Sequence, residues 1–507
     1  MNELPPKRDL RVNDTLALWL TGMAFTAIHV AANNRYGFHR DELLSYTNAM
    51  HLDWCYVVYP PLTAWLARAE LLVFGTSLIG YRFLPAVAVG LVSVLAGLIA
   101  RTMGGGRRAM LVAAVAAGIG GPVAFAGSFF SYMSFDLLWW VAVAWAAVCL
   151  FRTCNPRWWI AIGAAIGLGL LTKYTILFYV AGLLVGLLFT SSRRYFRSGW
   201  FWGGVGVAVV LTLPVIVWQF QHHFIAIDWT QSIHARDLSW GRGDHFIPNQ
   251  FWNVTSPVTV PLWCAGLWFL FATKAGKPFR PIGWMYLVSL LLFAVARGRD
   301  YYLAPAYPML MAAGAVWGEG WLGAKSPRAQ NAIMGCVRTS LAIGGLIVLA
   351  LTLPVAPVGT AWWRIADATN GCFSMEVGWP QMVAAVAHVR DSLTAEDRAH
   401  LGIMTADEGE TGAINLYGRA YGLPEAISGM NSNWLRGYSD PPPQVVIALG
   451  FGPATLNKIF ASCEVAARVP NTDGVVNVTI GDHAPIYVCR NIRAPWPEFW
   501  KSFQYYG

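Results

Sequence analysis

Charged residues are scarce in this chain. Asp, Glu, Lys and Arg make up 12% of its 507 residues, where a soluble domain carries about 25%. With 56% of residues hydrophobic, that scarcity excludes an ordinary water-soluble globule and puts much of the surface against lipid. Other absences narrow the class further. No Cys or His spacing matches a structural zinc site. No internal repeat or low-complexity tract is present. Gly450-Phe451-Gly452-Pro453 follows a candidate strand, but the third glycine of a dinucleotide-binding turn is missing. What the chain has in quantity is 25 Trp and 50 Gly, which suit membrane interfaces and close helix packing.

A spanning helix needs roughly 20 mostly apolar residues. Segments near 15–32, 78–100, 109–127, 132–151, 158–171, 173–190, 200–220, 255–273, 282–296, 302–318 and 339–357 predict about eleven transmembrane helices. Lys7, Arg8 and Arg11 precede the first without a clean cleavage site, so it reads as a retained helix rather than a signal peptide. Counting two crossings between 158 and 190 puts the basic clusters on one side. These are Lys7/Arg8/Arg11, Arg101/Arg107/Arg108, Arg152/Arg157, Arg193/Arg194/Arg197, Lys274/Lys277/Arg280 and Lys325/Arg328/Arg338. The net charge of +9 is thus read as cytoplasmic topology signals, not as a nucleic-acid surface. The N-terminus is expected inside, with the loops 33–77 and 221–254 and everything after 358 outside.

Residues 359–507 differ in character from 1–358. Strands are predicted at 400–406, 444–450, 475–480 and 485–490, and helices at 409–420 and 453–461, so the tail reads as a small extracytoplasmic α/β domain. Cys149, Cys154, Cys264 and Cys336 fall in or near the membrane and are expected reduced. Cys55, Cys372, Cys463 and Cys489 fall outside, and the strand-edge positions of Cys463 and Cys489 make them a candidate disulfide.

The residues suited to chemistry gather at the outer rim. Asp41 and Glu42 follow His39 and Arg40 just beyond the first helix. Tyr59-Pro60-Pro61 then leads into TAWLARAELLVFG, an amphipathic run that reads as a helix lying in the interface. Asp136 stands at the outer end of the fourth helix, either as a functional acid beside the membrane or as a helix-terminal charge. Arg82, Lys173, Arg297 and Arg299 lie at the same level, with Tyr301 and Tyr302 alongside. They read either as snorkelling cations or as partners for a lipid-borne phosphate. His222 and His223 end the seventh helix and read as polar lining. In the tail, Asp407, Glu408 and Glu410 read as helix N-terminal acids, and Trp434 and Tyr438 as contacts to sugar or caps on the membrane part.

Together these features resemble the GT-C superfamily of polyprenyl-phosphate-dependent glycosyltransferases, and within it the bacterial branch related to family 39 protein O-mannosyltransferases and lipid A aminoarabinose transferases. The resemblance rests on Asp41-Glu42, Tyr59-Pro60-Pro61-Leu62 and Tyr81-Arg82-Phe83-Leu84-Pro85. It continues through Asp136, Leu171-Thr172-Lys173, Arg299 to Pro305 with Tyr307-Pro308, Gly409 to Ala413, and Tyr421 to Pro424. Many relatives have His or Lys before the paired prolines where this chain has Tyr59. The resemblance implies transfer of a sugar from a polyprenyl phosphate to an acceptor hydroxyl of a lipid, glycan or protein, with inversion, in a bacterial inner membrane. It assigns Asp41 as base and Glu42 and Asp136 as orienting acids. Arg82, Lys173 and Arg299, with Tyr301 and Tyr302, would hold the donor phosphate. His39, Tyr59, His222 and His223 would line the acceptor side or the pocket. No cofactor or metal is required, although a divalent cation has room beside Asp41 and Glu42. The tail is expected to shape the acceptor path rather than perform chemistry. The rival readings are a transporter or lipid flippase, whose charges belong at the bilayer midplane and which often shows repeats, and a binding protein acting through its tail.

Overall fold

The computed structural model describes residues 12–477 and 479–507, so Lys7, Arg8 and Arg11 lie outside the described residues. Apolar composition sets the helices. Val12–Ala32, Phe83–Thr102, Tyr132–Thr153, Gly199–Gln221, Lys277–Val295 and Pro327–Thr352 are each long and apolar enough to cross a membrane. Two bent pairs, Ile176–Leu188 with Ser191–Arg197 and Phe246–Val254 with Pro257–Ala272, raise the possible spans from 6 to 8. The sequence predicts about eleven. The difference arises where apolar runs break into pieces too short to span alone. The 109–127 run divides into Arg107–Gly118 and Gly121–Ala126 at Gly120-Gly121-Pro122, and Trp158–Leu170 is only 13 residues long. The bundle core is built on Trp140 stacked against Tyr179, with Met285, Leu303 and Leu310 buried around them.

Both long loops contain helices. Loop 33–77 holds Arg40–Met50, called here the acid helix, and Leu62–Phe74, which leaves Leu72, Val73 and Phe74 exposed as an interfacial helix would. Loop 221–254 holds Ile225–Ser239.

The tail forms a five-stranded sheet in the order β2-β1-β3-β5-β4. Its strands are β1 (Leu401–Thr405), β2 (Ala426–Ile427), β3 (Val445–Leu449), β4 (Phe460–Arg468) and β5 (Pro485–Ile492). β1 pairs in parallel with β2 and β3, while β5 runs antiparallel to β3 and β4. The predicted strand at 475–480 is absent. Asn477 instead bends the chain there, its Oδ1 accepting the N–H groups of Thr479 and Ile480. Cys463 and Cys489 sit directly opposite on β4 and β5 and are joined by a disulfide, as the sequence suggests.

β3 shows how the tail is packed. Val446 and Ala448 face a core of the tail's own, with Phe460, Trp496 and Trp500. Val445, Ile447 and Leu449 face the opposite way, into a core shared with Phe38, Leu43, Tyr46, Tyr81 and Phe130 of the membrane part. The tail therefore folds onto the first loop as well as around itself. Trp434 and Tyr438 serve the tail's own core. Trp434 and Trp500 exchange indole N–H bonds to each other's carbonyls, and Tyr438 packs on Trp496, so neither side chain caps the membrane part as expected.

Candidate active site

The acid helix begins with a capping box. His39 Nδ1 accepts the N–H of Asp41 at 3.1 Å, and Glu42 Oε2 reaches back to the N–H of His39 at 2.7 Å. Accepting through Nδ1 leaves the ring proton on Nε2, and burial holds His39 below its ordinary range, hence neutral. Its Nε2 is buried without a partner.

Glu42 is fully engaged. Its Oε1 accepts Arg82 Nε at 2.8 Å and the Phe130 N–H at 2.7 Å, and its Oε2 also accepts Arg82 Nη2 at 2.7 Å. Arg82 completes its contacts on the Gly37 carbonyl at 2.8 Å and on Glu376 at 3.2 Å. Arg82 and Glu42 are both 0% exposed. The sequence assigns Arg82 to a phosphate, but the structure gives it two carboxylates and no surface. Glu42 and Arg82 together fix four segments: the start of the acid helix, the turn before Tyr132–Thr153, the start of Phe83–Thr102 and, through Arg82, the tail at Glu376. Burial pushes the Glu376 carboxyl up to about 8 against the opposing pull of Arg82.

Asp41 is different. It is half-buried, and no hydrogen bond or ion pair holds its carboxylate among the described residues. Lys173 lies near enough to interact with it electrostatically, as it does with Asp136 and Arg299. The Lys173 ammonium sits between two rings, 3.8 Å from that of Tyr132 and 4.0 Å from that of Tyr302. Asp136, Met133, Tyr301 and Pro305 complete a cavity around it. Asp136 is not the cap of its helix. Ser131 takes that role, and Asp136 lies further in, accepting Trp140 Nε1 at 3.0 Å. The structure thus brings Asp136, Lys173, Tyr301 and Tyr302 to one cavity, while Arg82 lies outside it.

Arg299 links this cavity to a second basic group. It makes a two-point contact with Asp237 at 2.6 and 3.0 Å and reaches the Tyr301 hydroxyl at 3.1 Å. Arg242 and Arg236 share the same Asp237 at 3.3 and 3.8 Å, and both pack over the exposed Trp240. Three guanidinium groups on one carboxylate leave a net positive charge beside the cavity. Arg236, Arg242 and Asp237 were not singled out in the sequence, though Arg-Asp followed by Trp-Gly-Arg in an external loop is a usable signal.

Three residues expected on the acceptor side or in the pocket, Tyr59, His222 and His223, do not line this cavity, although Tyr59 packs on Tyr132, which does. Tyr59 is buried in the seam with the tail, its hydroxyl accepting Asn48 Nδ2 at 2.8 Å, while Asn48 Oδ1 accepts Arg436 Nη2 of the tail at 2.5 Å. His222 stacks on Trp218, with ring centroids 3.8 Å apart, and bonds the Trp218 carbonyl; His223 is exposed at the helix end. Among the described residues no group of three or more His, Cys, Asp or Glu side chains is arranged to hold a metal. Glu42 has no oxygen free to share a cation with Asp41.

The model of the dolichyl-phosphate-mannose-protein mannosyltransferase family matches residues 58–218. Lipid A galacturonosyltransferase RgtD of Rhizobium johnstonii is 28% identical over 334 residues, covering 63% of this chain and 66% of that protein. An undecaprenyl phosphate-α-4-amino-4-deoxy-L-arabinose arabinosyl transferase of Pseudomonas fluorescens is 26% identical over 192 residues, covering 37% of this chain and 32% of that protein. The matches thus span just under two thirds of the first relative's length and about a third of the second's. Among solved structures, the crystal structure of ArnT from Cupriavidus metallidurans in the apo state superposes with a TM-score of 0.55 at 16% identity, covering 93% of this chain and 97% of ArnT. Its undecaprenyl phosphate-bound form gives 0.51 at 16% identity, covering 94% and 98%. At this identity the likeness is one of fold.

Proposed function

We propose that this chain is a GT-C glycosyltransferase that transfers a sugar from a polyprenyl-phosphate donor to an acceptor hydroxyl, with Asp41 as the base. The observation carrying this reading is a carboxylate, Asp41, with no hydrogen bond or ion pair among the described residues, within electrostatic reach of Lys173, whose cavity is lined by Asp136, Tyr301 and Tyr302 and bordered by Arg299. Asp41 takes the proton of the acceptor hydroxyl, and the freed oxygen attacks the anomeric carbon. The bond from that carbon to the phosphate oxygen breaks, and the polyprenyl monophosphate leaves with its charge against Lys173 and the Arg299 group. A single displacement inverts the anomeric centre. Asp136 orients Lys173, and the reading routes no step through a metal.

The site belongs on the non-cytoplasmic face of a bacterial inner membrane, with the tail on the same side. Support comes from the Cys463–Cys489 disulfide, since such bonds persist in oxidising compartments. A lipid acceptor is the first to test, because both named relatives are glycosyltransferases and one acts on lipid A.

Mass spectrometry of lipids co-purified with the protein tests the donor. Polyprenyl phosphate, free or glycosylated, is expected with the wild type and depleted in Lys173→Ala. Bulk phospholipid alone in both preparations overturns the reading.

A further inference from the structure

The acid helix is not held by the membrane part alone. The tail helix, Glu408–Tyr417, lies along it in parallel, with Gly409 against Arg40 and Gly412 against Leu43. The two helices therefore start side by side, and each opens with a capping box. In the tail helix the cap is Asp407, whose Oδ1 accepts the Gly409 N–H at 2.7 Å while its own N–H bonds Glu410 at 3.1 Å. That leaves Asp407 Oδ2, which meets Arg40 Nη2 at 3.1 Å across the seam. Side-chain exposures of 26% for Arg40 and 18% for Asp407 keep the pair largely away from water.

Arg40 directly precedes the base. The guanidinium is paired with Asp407, while Asp41, the next residue along the chain, is not bonded to it. A cation so placed has two carboxylates to choose between, and in the structure it chooses the one from the tail. We propose that Arg40 and Asp407 are a positioning pair, contributed jointly by the first loop and the tail, that keeps Asp41 free of a salt bridge and so competent as a base. This rests on the reading of Asp41 as the base. The other groups facing Asp41 do not substitute for Asp407. His39 is neutral and Glu42 is spent on Arg82; Lys173 is held between its two tyrosine rings. Cys372 is a half-buried thiol with no charge to offer, and Glu408 is engaged by Asn431 Nδ2 at 2.8 Å. The tail thus supplies part of the active site's charge arrangement without touching substrate.

The test uses the full chain in lipid nanodiscs, assayed for release of polyprenyl monophosphate. Asp407→Asn keeps the helix cap, since Asn caps as well as Asp, and removes only the charge. Freed from Asp407, Arg40 is expected to pair with Asp41 and lower kcat by about 10–100-fold, with donor KM within about twofold. Asp407→Glu is expected to retain most turnover. The double variant Arg40→Gln/Asp407→Asn removes the competing cation and is expected to recover at least tenfold of the loss. Wild-type kcat in folded Asp407→Asn overturns the proposal. So does a double variant no better than Asp407→Asn, or one that has lost transfer where the single variant does not accumulate. Asp41→Asn is run alongside: if it turns over normally, the base assignment has failed, a result distinct from failure of the pair.

Discussion

Arg82 separates two accounts of this molecule, and replacing it with Met distinguishes them. If Arg82 holds the donor phosphate, Arg82→Met yields a stable protein that binds donor poorly. If it is the internal cation of the seam, the variant is unstable first. The structure supports the second. Removing the guanidinium deletes contacts to Glu42, Glu376 and the Gly37 carbonyl and strands the buried Glu42 carboxylate beside the buried Glu376 carboxyl. Breaking a buried pair by removing one partner costs about 3–5 kcal/mol. For a chain of this length the unfolding entropy makes that a fall on the order of 3–5 °C in the unfolding midpoint, if the chain unfolds as one unit. Because Glu42 and Glu376 belong to the first loop and the tail, the loss should appear earliest as proteolysis near the tail junction. The assay is intrinsic tryptophan fluorescence during heating in nanodiscs, paired with limited proteolysis. Arg82→Met/Glu42→Gln/Glu376→Gln, which carries no stranded charge, should regain much of the loss. An Arg82→Met protein with the wild-type midpoint and weakened donor binding refutes the argument and restores the phosphate role.

Two further predictions concern the seam. A Cβ at Gly412 would run into the Leu43 carbonyl, so Gly412→Val should undock the tail helix, seen as increased hydrogen exchange in both helices, whereas the same change at exposed Gly452, where a Cβ meets nothing, should not. Burial, then the charge of Asp407, pushes Glu410 from 4.5 up to about 8, and burial likewise pushes Glu408 up to about 7 and Glu376 up to about 8. These acids bind protons more tightly folded than unfolded, so the stability they contribute is full below about 4.5 and is lost as pH rises through 7–8. The unfolding midpoint should therefore fall between pH 5 and 8 by way of these groups, and Glu410→Gln should flatten the slope; an unchanged slope counts against it.

Long apolar runs made most helices legible, because a run of that length has few other folded solutions. The strands at 401–405, 445–449 and 485–492 were legible for a similar reason, alternating or continuous apolar residues bounded by turns, while Cys463 and Cys489 were legible only as a candidate pair outside the membrane. β4 was missed because Phe-Ala-Ser-Cys-Glu continues the pattern of the preceding helix, and only pairing with β5 makes it a strand. Asp41, Asp136, Lys173 and Arg299 stand out in the sequence because charge at a membrane rim is costly enough to need a reason. Arg82 was found for that same reason but given the wrong partner. Its second acid, Glu376, stands 294 positions away, and nothing local distinguishes a phosphate partner from a carboxylate. The Arg40–Asp407 contact was hidden likewise, since it exists only once the tail helix lies on the acid helix.

The central claim is that Asp41 activates an acceptor hydroxyl against a polyprenyl-phosphate sugar. The most direct measurement is the initial rate of polyprenyl monophosphate release from galacturonosyl and aminoarabinosyl polyprenyl phosphates, with an envelope lipid extract as acceptor, for wild type and Asp41→Asn. Asn keeps the side-chain shape and removes the base. The account predicts acceptor-dependent release by the wild type with at least one donor, and a rate about 10²–10⁴-fold lower for Asp41→Asn at unchanged donor binding. Equal rates for the two proteins, or no acceptor-dependent release with either donor from folded wild type that binds it, would contradict the account.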